Sequence, residues 1–205
     1  MVPHYWSKAK RSLTRRDPVL ASIIRAHPTI ALRSRGDAFQ TLARSIVGQQ
    51  ISVKAADSVW RRFSGTVVTV EPATVLGTGA LKLRSCGLSQ RKVEYLVDLA
   101  GHFANGTVDP AGWTVLDDET VIEQLTCVRG VGRWTAEMVL IFGLLRPNVL
   151  PLDDLGLQRA VGLRYFAGRR VSPRTIRRIA LNWEPWRSVA TWYLWRSLDP
   201  VPVEY

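Results

Sequence analysis

The sequence predicts an all-α protein, and three observations carry that prediction. Apolar residues recur at the helical period almost everywhere, as in Phe39, Leu42, Ala43, Ile46 and Val47, then Val53, Ala56, Trp60 and Phe63. Pro173 and Pro185 stand where a first helical turn accepts a residue without an N–H. No stretch alternates long enough to support more than a short strand.

In chain order, the first helix is expected over 18–26, and two more cover the periodic run from Phe39 to Phe63. The segment "SGTVVTVEPATVLGTGA", residues 64–80, reads as a loop region. Further helices are expected over 89–103, 118–127, 133–145, 154–166, 173–183 and 185–198. No repeat, low-complexity tract or linker interrupts them.

The 205 residues suit one large domain or two small lobes. Charge indicates the partner. Lys and Arg number 28 against 17 Asp and Glu, a net charge of +11, and 23 of the bases are Arg, whose planar fork suits phosphate. Residues 1–36 hold eight bases and one acid, 37–154 eleven and thirteen, and 155–198 nine and one. Nucleic acid is the leading partner, although an arginine-rich solvated surface would show the same balance. The two cysteines, Cys86 and Cys127, are too few for a zinc or iron–sulfur ligand set and read as reduced core thiols of an intracellular protein. The basic N-terminus lacks the apolar run of a signal peptide, and no stretch is long enough to span a membrane. Cytoplasm or nucleus is the expected location.

Between the helices expected at 118–127 and 133–145 lies "LTCVRGVGRWTAE". Gly130 and Gly132 permit positive φ and close backbone approach, so N–H groups of the turn and of the next helix can face an anion. An ordinary helix corner would also use glycine there. Some twenty residues on comes "LPLDDLGLQRAV", with adjacent acids at Asp153 and Asp154. Either could cap the helix that follows, and Asp153 is assigned that task.

These two stretches resemble the helix-hairpin-helix DNA glycosylase superfamily, and within it the 3-methyladenine DNA glycosylase II family. The resemblance extends to "FQTLARSIVGQQISVKAADSVWRRF", "GLSQRKVEYLVDLA" and "WEPWRSVATWYLW", covering most of residues 37–198. It implies a compact form of the family, without an additional N-terminal lobe. Two helical lobes are then expected, residues 37–150 with the hairpin at 125–136, and 1–36 with 151–205, with a DNA cleft between them. The chain is expected to act as a monomer on duplex DNA containing damaged bases.

The resemblance places the essential acid at Asp154 and pocket residues at Trp134, Met138 and Trp195, Met138 replacing an aromatic residue. It places DNA contacts at Gln49, Gln50, Ser89, Lys92, Arg129, Gly130, Val131, Gly132 and Thr135, with Gln50 favoured as the side chain filling the space of a flipped nucleotide. It also implies a monovalent cation, Na or K, at the carbonyls of Thr126, Val128 and Val131. No other cofactor is expected. Lyase members carry a Lys where this chain has Trp134, and a Schiff base needs an amine, so a monofunctional enzyme is expected.

One carboxylate can suffice for the chemistry. Departure of a base leaves positive charge on the sugar, which a nearby anion stabilises in a water-poor site. A purine alkylated at N3 or N7 already carries positive charge and leaves without protonation. Two other readings stand beside this one: a hairpin module that binds DNA without cutting it, and a glycosylase for oxidised or mismatched bases. Trp60, Trp183 and Trp192 read as core.

All the DNA readings share one expectation. Affinity for undamaged duplex should fall steeply with salt, because each neutralised phosphate releases counterion. A titration of binding against salt concentration checks this, and a flat profile refutes it.

Overall fold

The computed structural model of the chain describes residues 2–34 and 37–198, and the expected lobe limits at 1, 36 and 205 lie outside the described residues. The first helices are α1 (Trp6–Arg16), α2 (Pro18–Ala26), α3 (Ala38–Gly48), α4 (Val53–Val67), α5 (Pro72–Thr78) and α6 (Ala80–Ser85). They are followed by α7 (Gln90–Ala104), α8 (Asp118–Thr126), α9 (Arg133–Met138), α10 (Leu155–Tyr165), α11 (Pro173–Ile179) and α12 (Arg187–Leu198). Among the described residues there is no strand, so the fold is all-α as expected, and no helix is long and apolar enough to cross a membrane.

The chain divides into two compact units. One is formed by 2–34 with 140–198, the other by 37–139. The sequence expectation put residues 140–150 with the hairpin, whereas they cluster with the termini. Side chains explain the difference: Ser188 Oγ accepts from Val149 N at 2.9 Å, Ser188 N donates to Pro147 O at 3.0 Å, and Tyr5 Oη donates to Leu145 O at 2.5 Å.

In the first unit α1 packs on α2 and α12, with Trp6 stacked on Tyr193 at 5.7 Å and edge-on to Trp192 at 5.4 Å. Asp17 ties several segments together. Its Oδ1 accepts from Val19 N at 2.9 Å and Leu20 N at 3.0 Å, capping α2 behind Pro18. Its Oδ2 accepts from Tyr165 Oη at 2.7 Å and Trp183 Nε1 at 3.0 Å, which brings in the last residue of α10 and the 3-10 turn Ala180–Trp183. Burial, then the Asp17 carboxylate, raises the Tyr165 hydroxyl far above its ordinary value, so it stays a donor.

The second unit is built on α3, α4, α5 and α7, with α5 and α3 both against α7 and Phe39 edge-on to Phe103 at 5.2 Å. Side-chain oxygens start its helices: Asp37 accepts from Gln40 N, Ser52 from Ala55 N and Asp117 from Thr120 N. Trp183 and Trp192 are core residues, whereas Trp60 is half-buried under the Arg44 guanidinium, 5.8 Å from the ring.

Several sequence expectations need correction. Residues 64–80 are mostly helical, since α4 runs to Val67 and α5 starts at Pro72, where Thr74 Oγ1 accepts from Glu71 N at 3.2 Å. Packing on α7 and that cap override the β-forming Val and Thr content. The helix expected over 133–145 ends at Met138 and passes into a wider π turn, Val139–Gly143. The one expected over 173–183 tightens to 3-10 geometry after Ile179, and α12 begins two residues after Pro185. Cys86 is buried, but Cys127 is exposed because it lies past the end of α8.

Asp17→Ala should cost about 3–5 kcal/mol in denaturant unfolding, because it removes a cap and strands two donors, the part-buried Tyr165 Oη and the buried Trp183 Nε1. Asp17→Asn should fall between, keeping one acceptor oxygen. A loss of about 1 kcal/mol or less for the alanine variant would reduce Asp17 to a simple cap.

Candidate active site

Asp154 is the N-cap of α10. Its Oδ1 accepts from Leu157 N at 2.5 Å, and the same oxygen accepts from Trp195 Nε1 at 2.7 Å. The residue is 9% exposed, so an acid of the first unit sits at the edge of water with its orientation set by two donors. The cap assigned to Asp153 therefore belongs to Asp154, and Asp153 is exposed. The N-cap is a single position, from which a side chain reaches the N–H groups of the first turn, so only one of two neighbouring carboxylates can fill it.

Two residues that sequence reasoning did not single out complete this arrangement. Phe142, from the π turn, stacks on Trp195 with ring centroids 5.7 Å apart and planes 14° off parallel. Gly156 leaves the space they need: a Cβ there would lie 3.1 Å from Asp154 Oδ1 and 3.1 Å from the Trp195 ring. The glycine was visible inside a helical pattern, where it is disfavoured, and that was the one available signal.

Trp134 and Met138 belong to the second unit, four residues apart on α9 and so on one face of it. Trp134 is 38% exposed and Met138 is half-buried. Thr135, expected to meet DNA, is buried on α9 and its side chain is withdrawn from solvent, because α9 turns that face toward the core it shares with α8.

The hairpin joins α8 to α9. Gly130 has φ +82, and a Cβ there would fall 2.2 Å from the Tyr95 ring, so glycine is needed for conformation and for space. Gly132 differs: as N-cap of α9 it has φ −92, which any residue adopts, and a Cβ would meet no protein atom within 4 Å. Neither conformation nor space within the described protein requires glycine at 132. Val128 and Val131 are buried and support the turn from below, and Val131 N donates to Val128 O at 3.1 Å.

Most of the remaining DNA-contact candidates have partners within the second unit. Gln49 Nε2 donates to Gly130 O at 2.8 Å, bracing the hairpin from the end of α3. Gln50 is exposed with φ 58, a backbone region uncommon outside glycine and concentrated at functional sites. Ser89 caps α7 through Lys92 N at 3.3 Å, and Lys92 Nζ donates to Val47 O at 2.7 Å, where burial lowers its pKa. Arg129 N donates to Asp98 Oδ2 at 2.8 Å, while its exposed guanidinium lies 3.5 Å from Glu94. Arg133 is held by Glu119, which its guanidinium keeps below the usual carboxylate range.

This combination of folded motif and carboxylate defines a class. Residues 43–187 match the HhH-GPD superfamily base excision DNA repair protein model, and the chain belongs to that superfamily. It is 33% identical over 167 residues to DNA-3-methyladenine glycosylase 1 of Schizosaccharomyces pombe, across 78% of this chain and 72% of that one. The fold is similar to the crystal structure of DNA-3-methyladenine glycosidase from Bacillus halodurans, with a TM-score of 0.86 and 32% identity over 93% of this chain and 89% of that one. It is also similar to the fission yeast 3-methyladenine DNA glycosylase Mag1 in complex with abasic DNA, with a TM-score of 0.80 and 27% identity over 97% and 98% of the two chains. The chain spans between 61% and 76% of the length of six curated relatives and 38% of two others.

The two hairpin glycines give a paired test. Gly130→Ala should lower stability by about 2 kcal/mol or more, since the methyl meets the Tyr95 ring at positive φ. Gly132→Ala should leave stability unchanged, whereas Gly132→Asp should weaken duplex binding for every sequence alike. Thermal melts and binding titrations separate the two, and equal melting losses at both positions would contradict the geometry.

Proposed function

We propose that the chain is a monofunctional DNA glycosylase. It hydrolyses the N-glycosidic bond of alkylated purines such as 3-methyladenine and 7-methylguanine flipped out of duplex DNA, and leaves an abasic site. The observation that carries this reading is Asp154, a carboxylate at a helix start oriented by Leu157 N and Trp195 Nε1. Membership of a base excision repair superfamily and likeness to 3-methyladenine glycosylases support it.

A base within a duplex is shielded, so the nucleotide must leave the stack before reaction. Asp154 then lies beside C1′. As the C1′–N bond lengthens, the electron pair leaves with the base, which departs neutral because the alkylated purine began as a cation. The carboxylate stabilises the positive charge that grows on the sugar. Water attacks C1′, its oxygen forms the new bond, and its proton passes to Asp154 or solvent. Trp195 positions the carboxylate through its N–H. A cationic purine gains from an indole face, the part assigned to Trp134.

With Trp134 where a lyase has Lys, no amine attacks the sugar. In the hairpin, the carbonyls of Thr126, Val128 and Val131 are the oxygens assigned to a monovalent cation. Val128 O already accepts Val131 N–H, leaving it one lone pair for that purpose, and a bound cation would add positive charge opposite a phosphate.

Asp154→Asn isolates the charge, because the amide oxygen can still accept from Leu157 N and Trp195 Nε1. Single-turnover release of 3-methyladenine should fall by at least about a thousandfold, with duplex affinity within a few fold. The exposed Asp153→Asn variant should stay near wild type. Full activity in the first variant would overturn the assignment.

The absent amine is tested separately. Borohydride should trap no covalent enzyme–DNA complex, and strand breaks should appear only after alkali or heat. A trapped complex with the wild-type chain would show a lyase.

A further inference from the structure

We infer that a groove beginning at Leu155, the residue after Asp154, holds a phosphodiester of the damaged strand through Arg159, Arg169 and Arg170. This rests on the proposed glycosylase reading and adds a binding site to it. The groove has a volume of about 380 Å³ and is lined by Leu155, Gln158, Arg159, Leu163, Arg169 and Arg170, all in the unit that carries Asp154.

Its floor is fixed by two glycines. Gly162 on α10 has no side chain where a Cβ would lie 2.5 Å from Arg169 O, so the chain after α10 lies directly on the helix. Gly168, with φ +86, donates its N–H to Gly162 O at 2.9 Å, and Arg169 N donates to Phe166 O at 3.1 Å. The backbone that carries Arg169 and Arg170 is thereby clamped to the helix that carries Arg159. Substituting either glycine would move two of the three bases relative to the third.

All three arginines are exposed, and among the described residues no hydrogen bond or ion pair engages their side chains. No Asp or Glu occurs between residues 155 and 183. Some arginines elsewhere are paired with an acid, as with Arg133 and Glu119 or Arg44 and Asp57. Three arginines lining one groove without an acid among its lining residues place like charge together, and a phosphate, which accepts guanidinium hydrogen bonds in a bidentate manner, would neutralise it. The groove starts one residue from the carboxylate that meets C1′. A strand whose flipped sugar lies at Asp154 therefore carries its neighbouring phosphates along Leu155 into it.

The test uses full-length protein and a duplex containing a tetrahydrofuran abasic-site analogue, which sets the register without needing catalysis. Phosphates of the damaged strand are replaced one at a time by methylphosphonate, and affinity is measured for wild type and for R159Q/R169Q/R170Q. One or two adjacent replacements should weaken wild type by about tenfold. The triple variant should bind the all-phosphate duplex more weakly, ignore those same replacements and respond normally to the others. As an equal-charge control, Lys8, Arg11 and Arg15 of α1 are changed to Gln. The inference is overturned if the triple variant keeps the whole wild-type pattern, or if the control loses sensitivity at the same phosphates. Excision is read in parallel on a 3-methyladenine duplex. Wild type that shows the methylphosphonate pattern but releases no base would overturn the glycosylase reading alone, and intact excision without the pattern would overturn the groove alone.

Discussion

The carboxylate oxygen Oδ1 of Asp154 accepts from the first turn of α10 and from the indole of α12, and the arrangement of the first unit around it follows from those two hydrogen bonds. A capping carboxylate is fixed to its own helix, but the helix could still swing. Donation from Trp195 removes that freedom by tying the start of α10 to another element, and the stacking of Phe142 on Trp195 fixes the indole in turn. Both donors direct the positive ends of their dipoles at the same oxygen. A methyl group at Gly156 would press on both the acid and the ring, 3.1 Å from each, and one of them would have to give way.

The other end of α10 is held by the same device. Asp17 caps α2 with one oxygen and takes Tyr165 and Trp183 with the other, so the helix that presents Asp154 is anchored at its first residues by one aspartate and at its last by another. In both cases a buried or nearly buried acid has its hydrogen-bonding needs met by a cap plus an aromatic donor. Each acid is thereby hydrogen-bonded by both backbone and aromatic donors, as a buried polar group requires. It also gives the N-terminal helices a task in positioning Asp154.

In the second unit the hairpin is held from several sides. Tyr95 fills the space that Gly130 leaves, Gln49 takes the Gly130 carbonyl, and Asp98 takes the Arg129 amide. These contacts use up the polar groups that face inward and leave the backbone around Gly132 open. A turn braced in this way costs little reorganisation when an anion approaches, the condition under which backbone donors bind phosphate well.

The all-α class, most helix starts and the hairpin were legible in the sequence by itself, because each is a local property: a 3.6-residue period, a capping side chain, a glycine where φ must be positive. Asp154 was singled out because its spacing from the hairpin resembles a known family. Which of the two aspartates caps α10 was not, since both satisfy the same local rule and only the position of Trp195, forty-one residues away, distinguishes them. Nor was the helix at Pro72–Thr78, whose Val and Thr content argues against helix until α7 supplies a packing surface. The boundary near residue 140, the roles of Phe142 and Gly156, and the clamping of Arg169 and Arg170 onto α10 were likewise decided by tertiary structure. Each depends on a partner distant in sequence or on a space that only the folded chain encloses, and side-chain periodicity carries no information about either.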